Sequence, residues 1–398
     1  MIYGFYFRFY KYLHIKWLSV ILAYLVRFAY FIRFLCKRIK IKRKVITIDV
    51  ESALKTLRNA SSDPMGRPTY EMADFDDSID LSVIVPVYNH KAMSIQCINS
   101  LLNQDTAYNY ELILVDDGSS DGIELYLDEI NEKYETIKLI RQINSGIAAA
   151  RNTGIAHAHG KYIMFVDCDD IVDNTLIDSL MKTAYREQAD IVMCAHELIK
   201  VKNGKEVSRV PNIYPEMNLL GYKNGDEIMN YAGLPWCKVY RRNLWEKVRF
   251  FPGYWYEDNI IHTLIFTQCK VFRYISEVHY SYFWHETNFS HIQNSKKQNK
   301  AIDEYWELLA IMQRAKEIEL PINDVQYTVL LKHLSAYYYT MIKSLSDEIV
   351  ESMFVVARDL LLQYKLENPV KLPYMLKQTE KAILNNDIEL WKLCSMNQ

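Results

Sequence analysis

The first 44 residues contain no aspartate and no glutamate, although they carry eleven lysines and arginines. The rest of the chain holds 36 basic against 49 acidic residues, a balance of −13, so the overall net charge of −2 conceals two parts suited to different surroundings. Paired cysteines are also missing. Cys36, Cys97, Cys168, Cys194, Cys237, Cys269 and Cys394 stand singly, with no C-x-x-C and an odd total. That pattern excludes a clustered structural zinc site and points to a reducing compartment. No glycine-rich phosphate loop follows the first strand candidate, since Val85-Pro86-Val87-Tyr88-Asn89-His90-Lys91 has no glycine, which argues against a P-loop enzyme or a nucleotidyltransferase. There is no internal repeat, no low-complexity tract and no multi-span region of the kind a processive membrane synthase needs.

Long apolar runs are short as well. Trp17 to Val26 is apolar for ten residues, and no A-x-A-like cleavage site follows, so both a signal peptide and an easy membrane span of about 20 apolar residues are disfavoured. On a helical wheel, Arg8, Lys11, Lys16, Arg27, Arg33, Lys37, Arg38 and Lys40 fall within one half. Phe5, Phe9, Leu13, His14, Leu22, Leu25, Phe28, Ala29, Ile32 and Cys36 fill much of the other. An aromatic and aliphatic face opposite a basic one suits a helix lying in the headgroup region of an anionic membrane. A single span and a soluble docking helix are the alternatives; nucleic acid would leave the aromatic face unused. The expected location is the cytoplasmic face of the cell membrane.

With 398 residues the chain has room for two or three domains. Residues 1–44 read as the basic amphipathic segment and 45–80 as a linker, broken at Ser61-Ser62-Asp63-Pro64-Met65-Gly66-Arg67-Pro68. From Leu81 short β-branched runs alternate with helical ones. Strands are expected at Leu81–Val87, Glu111–Val115, Ile137–Arg141, Lys161–Val166 and Asp190–Ala195, with helices between them at 93–103, 123–134, 147–158 and 174–187. This alternation predicts an α/β body with a mostly parallel, doubly wound sheet over 81–199. A mixed, aromatic-rich half follows over 200–290. A helical region over 291–398 includes helices at 301–315 and 325–344 and is the default surface for a helical partner or a second copy.

Asp167-Cys168-Asp169 closes the strand candidate Lys161–Val166. Side chains alternate along an extended segment, so both carboxylates project to one face. Two hard oxygen donors at one spot suit Mg²⁺ or Mn²⁺, held together with substrate phosphates. A solvated turn is the plain alternative, but the strand end is where open α/β sheets bind ligands. Two earlier strand ends supply Tyr88 as a pocket wall and Asp117 as a floor. Asp116-Asp117-Gly118-Ser119 reads equally as a tight turn with Gly118 at positive φ. Arg151, one turn into the helix opened by Asn144-Ser145-Gly146, fits a diphosphate or a structural carboxylate.

The order V-P-V-Y-N, V-D-D-G-S-S-D, N-S-G-I-A-A-A-R-N-T-G, F-V-D-C-D-D strongly resembles family 2 glycosyltransferases of the GT-A fold, of the bacterial capsule and exopolysaccharide type, over 81–199 and more weakly to about 290. The resemblance implies that Pro86 and Tyr88 line the nucleotide pocket and that Asp117 reads the base. It places Asp167 near the ribose or sugar, Asp169 on the metal bridging the donor diphosphate, and Asp170 behind that loop. His90-Lys91 stand where relatives usually carry an acidic residue. Pro252-Gly253-Tyr254-Trp255-Tyr256-Glu257-Asp258-Asn259 matches the family's Glu-Asp motif, which makes Asp258 the base and Glu257 the acceptor-positioning residue. The plain reading of the same residues is a helix start with an acidic first turn. Trp236, Tyr254, Trp255 and Tyr256 could offer a sugar platform or simply core. His285 could complete the metal site, although an isolated histidine is more often structural. Lys238, Arg241 and Arg242 fit phosphates or, more plainly, a solvated face. The implied activity is inverting, metal-dependent transfer from a nucleoside diphosphate sugar, UDP-linked, to a hydroxyl of a lipid-linked oligosaccharide in surface polysaccharide synthesis. A non-catalytic nucleotide-sugar-binding scaffold is the alternative.

Overall fold

The structure, a computed structural model, describes residues 16–214, 219–220, 231, 233–286, 288, 299–366 and 371–397. Two compact units divide it: one from the described residues of 1–63, 298–305 and 322–398, the other from those of 64–297 and 306–321.

The first unit is helical. It contains α1 (Lys16–Lys40) and α2 (Val50–Ala60). The wheel positions Phe5, Arg8, Phe9, Lys11, Leu13 and His14 lie outside the described residues. Helix α2 falls within the segment expected to be a linker. Asp49 caps it by accepting the Ser52 N–H at 2.8 Å, and Ala53 and Leu57 are buried. A side-chain cap and two apolar residues one turn apart outweigh the polar composition around them.

The second unit is built on one sheet of ten strands: β1 (Leu81–Val87), β2 (Tyr110–Asp116), β3 (Ile137–Arg141), β4 (Tyr162–Phe165), β5 (Ile171–Val172), β6 (Ile191–Lys202), β7 (Lys205–Asn212), β8 (Leu219–Leu220), β9 (Lys238–Arg241) and β10 (Val271–Trp284). Its order is β3-β2-β1-β4-β9-β6-β10-β5, with β7 on β6 and β8 on β10. Helices α3 (Lys91–Leu102), α4 (Glu124–Lys133), α5 (Ile147–Ala156) and α6 (Leu176–Glu187) connect the early strands. The remaining labelled helices are α7 (Asp303–Glu317), α8 (Asp324–Lys332), α9 (Tyr338–Ile342), α10 (Asp347–Gln363), α11 (Tyr374–Leu384) and α12 (Ile388–Ser395). Residues 324–342 are continuously helical, close to the expected 325–344, with a π-turn at His333–Tyr337 inside the helix where α8 passes into α9.

The sheet is parallel through β3-β2-β1-β4 and again where β10 pairs with β6. Strand β9 runs antiparallel between β4 and β6, and β5, β7 and β8 are antiparallel too, so the sheet is mixed rather than mostly parallel. Parallel neighbours need a crossover of a dozen or more residues, and β6 instead turns straight back through Asn203-Gly204, both at positive φ, into β7.

Where β1 and β4 part, the sheet opens. β1 pairs with β2 through Val87↔Asp116 but with β4 only to Ile84↔Phe165. Pro86 lies beyond β4's last partner, so its missing N–H removes no bond there. All seven β1 residues are buried, as expected for a strand covered on both faces. Helix α5 lies close against it, since a Cβ on Gly154 would fall 2.3 Å from Ile84 Cγ2. We expect Gly154→Ala to lose about 1–3 kcal/mol to overpacking, of which helix propensity returns at most about 1 kcal/mol. A thermal melt equal to or above the parent's would contradict this close approach.

Candidate active site

Four strand ends and one later turn bring the site together. After β1, Asn89 and His90 both adopt left-handed backbone (φ 57° and 56°). The β1–α3 loop is tied to the β2–α4 loop: Asn89 N–H donates to Ser119 Oγ (2.9 Å), Ser120 N–H to Asn89 Oδ1 (3.0 Å) and Lys91 N–H to Asp121 Oδ2 (2.7 Å). Two consecutive non-glycine residues in this region store strain that those three bonds hold in place. Tyr88 is about half exposed at the mouth, and Pro86 is buried behind it.

Asp117 is buried and accepts three hydrogen bonds, from Gln142 Nε2 (2.7 Å), Ser145 N–H (2.8 Å) and Gly146 N–H (2.9 Å). A carboxylate offers about four acceptor positions, so one is left for a ligand donor. Asp116 accepts the Ser119 N–H at 2.9 Å, and Gly118 has φ 76°, so the tight-turn reading describes this backbone.

The carboxylates after β4 separate by environment. Asp167 accepts Arg151 Nη2 at 2.9 Å, and its backbone N–H reaches Tyr280 Oη at 3.3 Å. Asp169 Oδ2 lies 3.2 Å from His285 Nε2 and accepts Asn288 Nδ2 at 3.1 Å. Asp170 is fully buried, accepting Tyr280 Oη (2.6 Å) and Phe283 N–H (2.9 Å); burial, followed by the charges of Asp169 and Asp167, pushes its carboxyl well above the usual range. Burial and the neighbouring Asp169 lift the Cys168 thiol to about 12, which leaves it unreactive at neutral pH.

Glu257 and Asp258 sit in a turn just before the π-turn Ile261–Ile265, an irregularity often found at functional sites. Ile261 N–H donates to the Asp258 carbonyl at 2.9 Å, so the acidic pair also begins a helical segment, as its plain reading expects. Glu257 Oε1 accepts Arg151 Nη1 at 2.9 Å. Arg151 is 2% exposed, bridges Asp167 and Glu257, and packs its guanidinium 5.3 Å from the Phe250 ring centroid. Burial raises both carboxyls and Arg151 opposes the rise, while the charges of Asp167, Glu257 and Asp258 hold the guanidinium protonated. One buried cation therefore fixes the Asp167 carboxylate after β4 relative to the Glu257-Asp258 turn.

Other candidates fall elsewhere. Lys238 is fully buried, not solvated: it donates to the carbonyls of Leu234 (2.7 Å) and Trp236 (3.3 Å), and burial lowers its pKa. Arg241 pairs with Asp190 at 3.0 Å, and Arg242 donates to the carbonyls of Ala158 and Ala73. Trp236 is core, stacked on Tyr280 (4.8 Å) and Tyr282 (5.3 Å), and Tyr254 is buried; Trp255 and Tyr256 keep partial exposure beside the acidic turn. Sequence reasoning passed over Asn288 and Tyr280, which hold the Asp169 and Asp170 carboxylates. Both lie more than 100 residues away from their partners, with no local spacing to reveal them. His90, noted only as a departure, places its ring 5.7 Å from that of His285.

Among the described residues no three His, Cys, Asp or Glu side chains converge on one cation position. Asp169 and His285 do converge. One carboxylate oxygen and one imidazole nitrogen fit Mn²⁺ or Mg²⁺ when diphosphate oxygens and water supply the rest.

A mixed α/β sheet thus places carboxylates at its opened carboxyl edge, joined through Arg151 to an acidic turn. Residues 82–249 match the family described as Glycosyl transferase family 2. The chain is 27% identical over 280 residues to Glycosyltransferase GlyA of Streptococcus pneumoniae, covering 68% of this chain and 38% of GlyA. It is 26% identical over 274 residues to Minor teichoic acid biosynthesis protein GgaB of Bacillus subtilis, covering 64% of this chain and 30% of GgaB. The chain thus spans about a third of the length of these relatives. Among solved structures, S. aureus TarS 1-349 in complex with UDP-GlcNAc shares the fold, with a TM-score of 0.59 at 18% identity over 80% of this chain and 91% of that one.

Proposed function

We propose that this chain is an inverting, metal-dependent glycosyltransferase that moves a sugar from a UDP-sugar to a hydroxyl of a glycan, carried as a lipid-linked oligosaccharide in cell-surface polysaccharide synthesis. The observation that carries the reading is the Arg151 bridge, which joins Asp167 at the β4 edge to Glu257 beside Asp258 through two bonds of 2.9 Å. Donor and acceptor groups must meet in one fixed geometry for direct displacement, and a shared buried cation provides it. The relative GgaB, named for minor teichoic acid biosynthesis, and TarS with UDP-GlcNAc support the substrate class.

In this reading Tyr88 covers the base, and the free acceptor position of Asp117 takes its N–H. Asp169 and His285 would hold the cation, which when bound offsets the negative charge of the leaving diphosphate. Glu257 orients the acceptor hydroxyl, and Asp258 takes its proton as the oxygen attacks the anomeric carbon. Chelation of the purified chain should abolish release of UDP from its donor, with Mn²⁺ or Mg²⁺ restoring it and Asp169→Asn unable to respond. Release that persists after chelation would remove the cation from the reading.

A further inference from the structure

Among the described residues, an apolar stripe of helix α1 is left uncovered. Ile21, Leu25, Phe28, Ile32 and Ile39 are each between 42% and 86% exposed, and their spacing of three, four or seven residues aligns them on one face. The helix has other means of holding to its own unit. Phe34 is fully buried with its ring 6.4 Å from that of Tyr374, Phe31 meets the same ring at 5.4 Å, and Arg38 donates to Gln378. The stripe is thus a second surface, separate from the packed one. A contiguous row of large exposed side chains marks an interaction site.

The flanking charges select the occupant. Arg33, Lys37 and Lys40 are exposed beside the stripe, and α1 contains six basic residues and no acidic one. Pairing with a second copy through this stripe would set basic flanks against basic flanks, the reverse of what helix pairing uses. A span is disfavoured too, since no described helix is long and apolar enough to cross a membrane. Aliphatic and aromatic side chains beside unopposed cations match a bilayer interface rich in anionic headgroups.

We propose that α1 lies flat on an anionic lipid surface, with Leu25, Phe28 and Ile32 entering the acyl boundary and Arg33, Lys37 and Lys40 contacting the headgroups. This rests on the helix alone and not on the reaction proposed above. The full chain should sediment with vesicles of phosphatidylcholine mixed with phosphatidylglycerol and bind phosphatidylcholine alone at least about tenfold more weakly. Leu25→Glu with Phe28→Glu should reduce binding to the mixed vesicles by about tenfold or more, leaving the melting temperature and donor turnover in solution as in the parent. Arg33→Gln with Lys37→Gln and Lys40→Gln is the second variant; it should weaken binding to the mixed vesicles only. Equal binding by the parent and both variants, or no binding by the parent, would overturn the proposal. So would a parent dimer, seen by light scattering, that the stripe variant dissociates without any lipid binding; the stripe would then be an interface between copies.

Discussion

Arg151→Met is expected to lower stability by about 3–5 kcal/mol, the cost of leaving buried charges without their partner. Arg151 is the hydrogen-bonded cation of both Asp167 and Glu257, whose side chains are 21% and 13% exposed. The deficit should grow with pH. Burial already raises both carboxyls, and Arg151 acts against that rise, so its loss moves them further up. A carboxyl whose folded pKa stands above its unfolded value favours the folded state at low pH. That contribution is lost as pH rises from the ordinary carboxylate range through the raised folded value. Denaturant melts of variant and parent should therefore lie closer together at about pH 5 than at about pH 8. Arg151→Lys keeps the charge but not the two-pronged geometry, and should recover most of the stability while transfer stays down by about a hundredfold. A lysine variant with parental turnover would show that the bridge only supports the fold.

Asp258→Asn is expected to reduce transfer by about a hundred- to ten-thousandfold while UDP binding stays within about twofold of the parent. The amide keeps the shape of the turn and the Ile261-to-Asp258 backbone bond, but it cannot take a proton. The deeply buried Lys238 carries a charge whose protonation Asp258 favours, so the substitution should also ease loss of that proton. Glu257→Gln tests the neighbour: its bond to Arg151 can persist through the amide oxygen, so an acceptor-positioning role appears chiefly as a raised KM for acceptor. If Asp258→Asn transfers sugar at the parental rate, the base lies elsewhere.

The first half of the sheet was legible because it is locally encoded. Val83-Ile84-Val85 and Leu112-Ile113-Leu114 read as buried strands from their runs, and β1 and β3 span the expected residues. The motifs marked the ligand edge because they terminate these strands. What escaped depends on distant partners. Lys238 reads as a surface cation until the carbonyls of Leu234 and Trp236 enclose it, and nothing in its neighbours announces that. Strand β9 is only four residues long, and its antiparallel place between β4 and β6 follows from the path of the chain, not from its own sequence. The double engagement of Arg151 joins residues 16 and 106 positions away, so a sequence pattern could offer the diphosphate and the structural carboxylate only as alternatives.

The most direct measurement is product release from a panel of nucleotide sugars by the purified chain with Mn²⁺. The account predicts UDP from at least one UDP-sugar, abolished by Asp258→Asn when acceptor is present. UDP binding without turnover of any donor would identify a scaffold, and release of pyrophosphate in place of UDP would contradict the assignment outright.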